Sequence, residues 1–220
     1  MEMGNGKKFS TGNHPVELIH PLLHVTNANF EYDVATPTGK PPIIEEWALP
    51  TKDQVVLDFY NTNFKLKETK SLVELVKENG KLMEDYIAIY LPGGHGAMLG
   101  LPTNENMGKV LDYTKLWDIH VISVCHGPAM LLASKDAYKN YKIACFPDSI
   151  DQQTPIIGYL PGTMPWYFGQ KLVEELNIEI MNTSPDDTVI VDRKLITGAS
   201  PKACQELGKV VTETLLEQYA

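Results

Sequence analysis

The chain has 220 residues, a formal net charge of −9 and 43% hydrophobic residues, a balance that disfavours nucleic-acid binding through clustered cations and supplies apolar material for a substantial core. No apolar run approaches a membrane span and no basic-then-apolar leader opens the sequence, so a soluble, cytoplasmic chain is expected. Three cysteines, an odd count without a close pair, argue against a disulfide framework and a zinc cluster and for reduced thiols.

In chain order, helical patterns over 16–27, 71–79, 106–116, 128–134, 164–176 and 200–217 alternate with β-rich runs over 30–36, 86–91, 120–124, 142–145, 179–182, 189–191 and 195–197. Such alternation predicts a wound α/β sheet. The last helix carries Ala203, Leu207, Val210, Val211, Thr214 and Leu215 at helical spacing and is expected to cover the sheet. Residues 37–70, with Pro41-Pro42, Trp47 and mixed charge, are expected to form a small inserted cap on a single domain spanning 1–220. No internal repeat or low-complexity tract is present.

Two of the strands end in turns that carry chemistry. The run Tyr86-Ile87-Ala88-Ile89-Tyr90-Leu91 leads into Pro92-Gly93-Gly94-His95-Gly96, and the run His120-Val121-Ile122-Ser123-Val124 stops at Cys125 and restarts as a helix at Gly127-Pro128. A cysteine at such a turn is lifted out of the strand to a helix N-terminus, where free N–H groups and the helix dipole favour thiolate. Gly127 allows the tight turn, and Pro128 suits a first helical turn. Ligand crevices of open α/β sheets lie beyond the carboxyl ends of the strands. Parallel pairing would therefore bring Gly93, Gly94 and Cys125 to one rim, a nucleophile beside an oxyanion site.

Each part has a plainer reading on its own: a free cysteine is usually an inert core residue, and a Gly-Gly pair is usually a turn. Nucleotide loops fail by spacing, because a dinucleotide fingerprint starting at Gly94 needs glycine where Leu99 stands and no lysine follows at P-loop distance. All six histidines, His14, His20, His24, His95, His120 and His126, lie at or before position 126. That order disfavours papain-like enzymes and class I glutamine amidotransferases, whose histidine lies well downstream of the cysteine. The base is then His126, an upstream histidine or a carboxylate.

At these residues the sequence resembles the PfpI/ThiJ superfamily of α/β cysteine proteins, and within it the heat-shock chaperone and glyoxalase III branch, the HchA-type proteins. The matching segments are Phe9-Ser10-Thr11-Gly12-Asn13-His14-Pro15-Val16-Glu17, Pro92-Gly93-Gly94-His95-Gly96, Val124-Cys125-His126-Gly127-Pro128, Cys145-Phe146-Pro147-Asp148, Gly158-Tyr159-Leu160-Pro161-Gly162, Trp166-Tyr167-Phe168-Gly169 and Asp192-Arg193-Lys194-Leu195. The resemblance implies a flavodoxin-like, doubly wound, mainly parallel sheet with helices on both faces. It implies Cys125 as nucleophile, His126 as its imidazole, Asp151 as the orienting carboxylate and Glu17 as the acidic residue facing the nucleophile. Gly93, Gly94 and His126 fall at the oxyanion and substrate-binding positions. Read without the resemblance, Glu17 is a helix-start glutamate favoured by the dipole, Asp151 has a competitor in Asp148, and His95 is equally a structural loop histidine.

Two departures accompany the match. The family's metal ligands, two histidines and a carboxylate, fall at Thr26, Glu31 and a position near 61–63, so no tightly bound metal and no other cofactor is expected. His20 and His24 stand at i, i+4 spacing, which could suit a metal, but a solvated helix face is the expected reading. The family also begins with an extended segment and a first strand ahead of the region matching residues 7–17. With Met1 too late for them, exposed strand edges are expected unless a partner compensates.

The leading expectation is cofactor-independent glyoxalase III chemistry on methylglyoxal, with protein deglycase activity through the same residues. The alternative is a holding chaperone offering Trp47, Trp166, Tyr167 and Phe168 to unfolded proteins, and the third reading is a cysteine peptidase. Expected partners are a small aldehyde, unfolded or glycated proteins and, from the resemblance alone, a second copy of the chain. An accessible Cys125 thiolate could also serve as an oxidation sensor. Cys145 and Cys204 are expected to be structural.

Overall fold

A computed structural model describes residues 1–62 and 68–219. The elements run α1 (Pro15–Asn27), β1 (Val34–Thr36), α2 (Gln54–Thr62), β2 (Thr69–Ser71), α3 (Leu72–Leu75), β3 (Ala88–Leu91), α4 (Glu105–Leu116), β4 (His120–Val124), β5 (Lys142–Ile143), α5 (Asp148–Asp151), α6 (Phe168–Leu176), β6 (Glu179–Ile180), β7 (Val189–Asp192), β8 (Leu195–Gly198) and α7 (Cys204–Tyr219).

The main sheet has the order β3-β4-β8-β7, with β3, β4 and β8 parallel and β7 antiparallel to β8. Pairs β1–β2 and β5–β6 are separate and also parallel. Every residue of β4 and β8 is buried, which explains why the run 120–124 is almost continuously apolar rather than alternating.

Side-chain alternation along these central strands divides the core into two layers. Val121 and Leu195 enter a cluster with Leu111, Leu131, Phe168 and Leu172, under α4, α6 and a 3-10 turn at Gly127–Ala133. Ile122, Val124 and Ile196 face the other way, onto Leu207, Val211 and Leu215 of α7. Helices thus cover both faces of a mainly parallel sheet, as expected, and α7 covers one of them.

Several boundaries differ from the sequence expectation for identifiable reasons. The helix expected over 71–79 ends at Leu75, because Glu78, Asn79 and Gly80 adopt left-handed backbone with φ of 51, 57 and 77°; Asn and Gly are the residues that tolerate it. The strand expected over 30–36 is confined to Val34–Thr36. The helix expected over 164–176 starts at Phe168, where the Asp148 carboxylate accepts the N–H groups of Gly169 and Gln170 at 3.0 and 2.7 Å, satisfying donors that an N-cap side chain would otherwise take. Among the described residues, no helix is long and apolar enough to cross a membrane.

The register sets the site. Leu91 pairs with Ser123 and Val124 with Gly198, so the glycine loop after β3 and the cysteine turn after β4 leave the sheet side by side.

Candidate active site

Cys125 has φ of 58°, which breaks the strand at once. Its N–H donates to Gly198 O at 2.9 Å and its carbonyl accepts from Phe146 N at 3.0 Å, so the turn is clamped from both sides. Gly127 is required behind it, because a Cβ there would stand 2.2 Å from the Leu91 carbonyl oxygen. Adjacent residues of a regular strand point to opposite faces; the left-handed turn instead brings Cys125 Sγ to 3.2 Å from His126 Nδ1.

The far side of that imidazole meets α5. His126 Nε2 lies 2.8 Å from Asp151 Oδ2, and the other carboxylate oxygen lies 3.3 Å from His95 Nε2. The His126 ring is held between Phe146, stacked at 4.9 Å and 23°, and His95, at 4.1 Å and 39°. Asp148 is turned away onto the α6 amides, so the structure separates the two carboxylates that the sequence left competing.

These contacts set the charges. Burial disfavours the His126 cation, but the Asp151 carboxylate bonded to it outweighs burial and raises the pKa. Burial alone would raise Asp151, yet the two imidazoles hold it well below the usual carboxylate range. Burial and then the neighbouring His126 lower His95, which is therefore a neutral donor.

Glu17 approaches from the first turn of α1, where Pro15 opens the helix, and only 1% of it is exposed. Its Oε1 is 3.9 Å from His14 Nδ1, while Oε2 has no hydrogen-bond partner. Burial lifts the Glu17 pKa to about 8, opposed by His126, the adjoining Cys125 thiol and the Gly94 amide. Burial, then Glu17 and Asp151, also push the Cys125 thiol well above its usual value. This corrects the expectation of an accessible low-pKa thiolate: Cys125 is 3% exposed, and removal from water together with two carboxylates overrides the turn's amides. Near neutral pH both Glu17 and Cys125 are thereby favoured in their protonated forms.

The glycine loop is packed backbone against backbone. A Cβ on Gly94, whose φ is 94°, would stand 2.4 Å from Gly12 O and 2.6 Å from His14 N. His14 N donates to Gly93 O at 3.2 Å and Gly96 N to Gly12 O at 3.1 Å. The segment leading to α1 is thereby fixed beside the loop, and Glu17 with it.

Sequence reasoning left His95 undecided and missed Glu45. Glu45 is 2% exposed; its Oε1 accepts from Thr11 Oγ1 at 2.5 Å and Gly12 N at 3.4 Å, and its Oε2 is buried without a partner. No local pattern marks it, since both partners lie more than thirty residues away in sequence.

Among the described residues, the group whose donor atoms could surround one ion is His95, His126 and Asp151, all within 4.8 Å of one another. At the positions matching the family's metal site, the Thr26 hydroxyl is bonded to the carbonyls of Leu22 and Leu23, and Asn63 lies outside the described residues. The expected solvated face at His20 and His24 is corrected: His20 contacts Asp53 at 2.9 Å and Gln205 at 2.7 Å, and His24 contacts Gln205 at 2.9 Å, tying α1 to α7. Of the aromatics proposed as chaperone surface, Phe168 is fully buried, with its ring 5.3 Å from that of His126. Trp166 and Tyr167 pack on the core, and Trp47 is 48% exposed.

Known proteins resemble this chain over most of its length. The DJ-1/PfpI family profile matches residues 11–214. The protein/nucleic acid deglycase HchA of Escherichia coli O7:K1 is 44% identical over 220 residues, covering 98% of this chain and 77% of that protein. Protein/nucleic acid deglycase 1 of Escherichia coli K12 is 43% identical over the same shares. The structure of Francisella tularensis Rapid Encystment Protein 24 kDa superposes with a TM-score of 0.80 at 24% identity, covering 98% of this chain and 94% of that one. Glyoxalase III of Candida albicans superposes with a TM-score of 0.73 at 22% identity, covering 96% and 90%; both superpositions show a shared fold.

Proposed function

The chain belongs to the DJ-1/PfpI family, and from that premise we propose that it converts methylglyoxal and water to lactate without glutathione and removes early methylglyoxal adducts from proteins. The observation that carries this is the convergence of a buried thiol, an unpartnered carboxylate oxygen and a carboxylate-backed imidazole at the end of two parallel strands. The deglycase relatives support the substrate class.

With Glu17 in its ionised form, the sulfur of Cys125 adds to the aldehyde carbon, its proton passing to Glu17 as the S–C bond forms and then to the new alkoxide, giving a hemithioacetal. The Gly94 and His126 amides supply the oxyanion contact. Glu17 removes the hydrogen on the thiol-bearing carbon as a proton, the electron pair forms an enediolate, the proton of the hemithioacetal hydroxyl passes to the neighbouring oxygen, and Glu17 returns its proton to the neighbouring carbon, leaving a thioester of lactate. A carboxyl held at about pH 8 by burial suits both directions of transfer. Water then attacks the thioester with His126 taking its proton, Asp151 stabilises the imidazolium, and the expelled thiolate recovers a proton. With an adduct on a protein amine or guanidine, the same sulfur displaces nitrogen at the carbinol carbon: S–C forms, C–N breaks, the nitrogen leaves protonated and the same hemithioacetal results.

A holding-chaperone reading is favoured by one different observation, the run of exposed apolar side chains Ile156 (83%) and Ile157 (76%) beside Tyr159. It predicts that Cys125→Ala still suppresses aggregation. No separate observation among the described residues favours a peptidase.

The test is lactate formation from methylglyoxal without glutathione. Turnover lost in Cys125→Ala and in Glu17→Gln supports the mechanism, and turnover retained in folded Cys125→Ala overturns it.

A further inference from the structure

We propose that the rings of Phe9, Trp47, Tyr159 and His95 form a receiving site for a guanidinium group, so that among methylglyoxal adducts the enzyme selects those carried on arginine side chains. The proposal rests on the deglycase reading above and adds the substrate class and the residues that choose it.

The four rings make a closed circuit of contacts: Phe9–Trp47 at 5.6 Å, Trp47–Tyr159 at 5.4 Å, Tyr159–His95 at 6.3 Å and His95–Phe9 at 5.7 Å. They come from four segments far apart in the chain. A purely structural aromatic cluster would be buried, yet Trp47 is 48% and Tyr159 is 44% exposed. A cation seated among the rings lies within the roughly 6 Å reach of ring–cation attraction. The indole cannot turn freely, because its N–H donates to Ser10 O at 3.3 Å.

Behind the circuit stands a carboxylate that needs a partner. Glu45 is tied to the segments that carry three of the four rings: Thr11, two residues after Phe9, donates to it, Trp47 follows it by two residues in the same turn, and burial raises its pKa against the opposing donors of Thr11, Gly12 and His95. Its Oε2 is buried and unpartnered, a costly state that a guanidinium N–H would relieve. The phenol of Tyr159 is raised by burial first and then by Glu45, so this rim lies close to that carboxyl.

The fourth ring also connects to the nucleophile, since His95 packs at a tilt against His126 at 4.1 Å and His126 Nδ1 is 3.2 Å from Cys125 Sγ. In an arginine adduct the cation is bonded directly to the reacting carbon, so the two need adjoining subsites. A thiol adduct carries no cation. Arginine is favoured over lysine because the planar guanidinium stacks on aromatic faces and reaches a carboxylate with several fixed donors.

The experiment compares kcat/KM of the full chain on methylglyoxal-treated N-acetylarginine and methylglyoxal-treated N-acetylcysteine, with Trp47→Leu, Trp47→Phe and Tyr159→Leu alongside. Calorimetry with N-acetylarginine amide reports the subsite without turnover. The parent is expected to prefer the arginine adduct; Trp47→Leu and Tyr159→Leu each reduce that preference by roughly fivefold through KM, and Trp47→Phe restores most of it. A preference unchanged in both folded leucine variants, or absent from an active parent, overturns the proposal. If the parent makes lactate from no substrate, the deglycase reading fails, and calorimetry decides the subsite alone: N-acetylarginine amide bound by the parent and weakened by Trp47→Leu supports it, and no binding overturns it.

Discussion

Glu17 and Cys125 meet across the bare Cα of Gly93: a methyl group built there would stand 1.9 Å from Glu17 Oε2 and 2.8 Å from Cys125 Cβ. The close approach of acid and thiol therefore depends on a residue with no chemistry of its own. Gly93→Ala would also press on the Val124 carbonyl oxygen, at 2.7 Å, which as backbone cannot swing aside. We expect it to cost roughly 1–3 kcal/mol of stability and to remove nearly all lactate formation. A thermal melt with an assay on the folded fraction checks both, and near-parental turnover would contradict the contact.

The raised pKa of Glu17 has a signature in stability. Its carboxyl titrates near 4.5 when unfolded and about 8 when folded, so the folded state holds the extra proton between those values. The stabilisation is fully present below about pH 4.5 and is lost as pH rises toward 8, by at most roughly 1.4 kcal/mol per pH unit. Glu17→Gln keeps the shape and removes the titration. Urea melts from pH 5 to 8 are expected to show the parent falling relative to this variant; parallel curves would mean that Glu17 is already ionised.

Asp151 has the opposite sign. Held low by His126 and His95 despite burial, it contributes stability above its ordinary pKa of 3.8, lost as pH falls through its folded value. Asp151→Asn is expected to shrink the acid-side loss and to lower turnover by roughly 100- to 10,000-fold, because an amide neither fixes the imidazole tautomer nor stabilises its cation. Acid titration of both proteins, followed by circular dichroism and by initial rates, tests the pair of effects together.

His95 is a positioning residue in this arrangement, acting through Asp151 Oδ1 at 3.3 Å. His95→Ala is expected to lower kcat about tenfold and to shift the pH profile limb governed by His126, because the carboxylate loses one of its two donors. His95→Gln retains a side-chain N–H and is expected to recover most of the rate. Equal losses in both variants, with an unchanged pH profile, would show that the imidazole only fills space.

The cysteine turn and the glycine loop were legible because their signals are local: an apolar run, then residues that break it, with parallel pairing setting them side by side. The pairing of Cys125 with His126 came from the family resemblance, since the residues alone left the base as His126, an upstream histidine or a carboxylate. What the sequence did not show was depth. The helix-start rule pointed to a thiolate, but Glu17, Asp151 and removal from water act on the sulfur only once distant segments converge. Glu45 and the role of His95 were hidden for a similar reason, since His95 is bonded to Asp151 across 56 positions and Glu45 to Thr11 across 34. Asp148 and Asp151 look alike in sequence; only their directions, one toward the α6 amides and one toward two imidazoles, distinguish them.

The backbone at Cys125, with φ of 58°, sets fold and chemistry at odds. That conformation costs an L residue roughly 1–2 kcal/mol and costs glycine almost nothing. Among variants that delete the thiol, Cys125→Gly should therefore outlast Cys125→Ala, reversing the order found at ordinary strand positions. Under selection for thermal endurance without demand for turnover, position 125 would drift toward glycine.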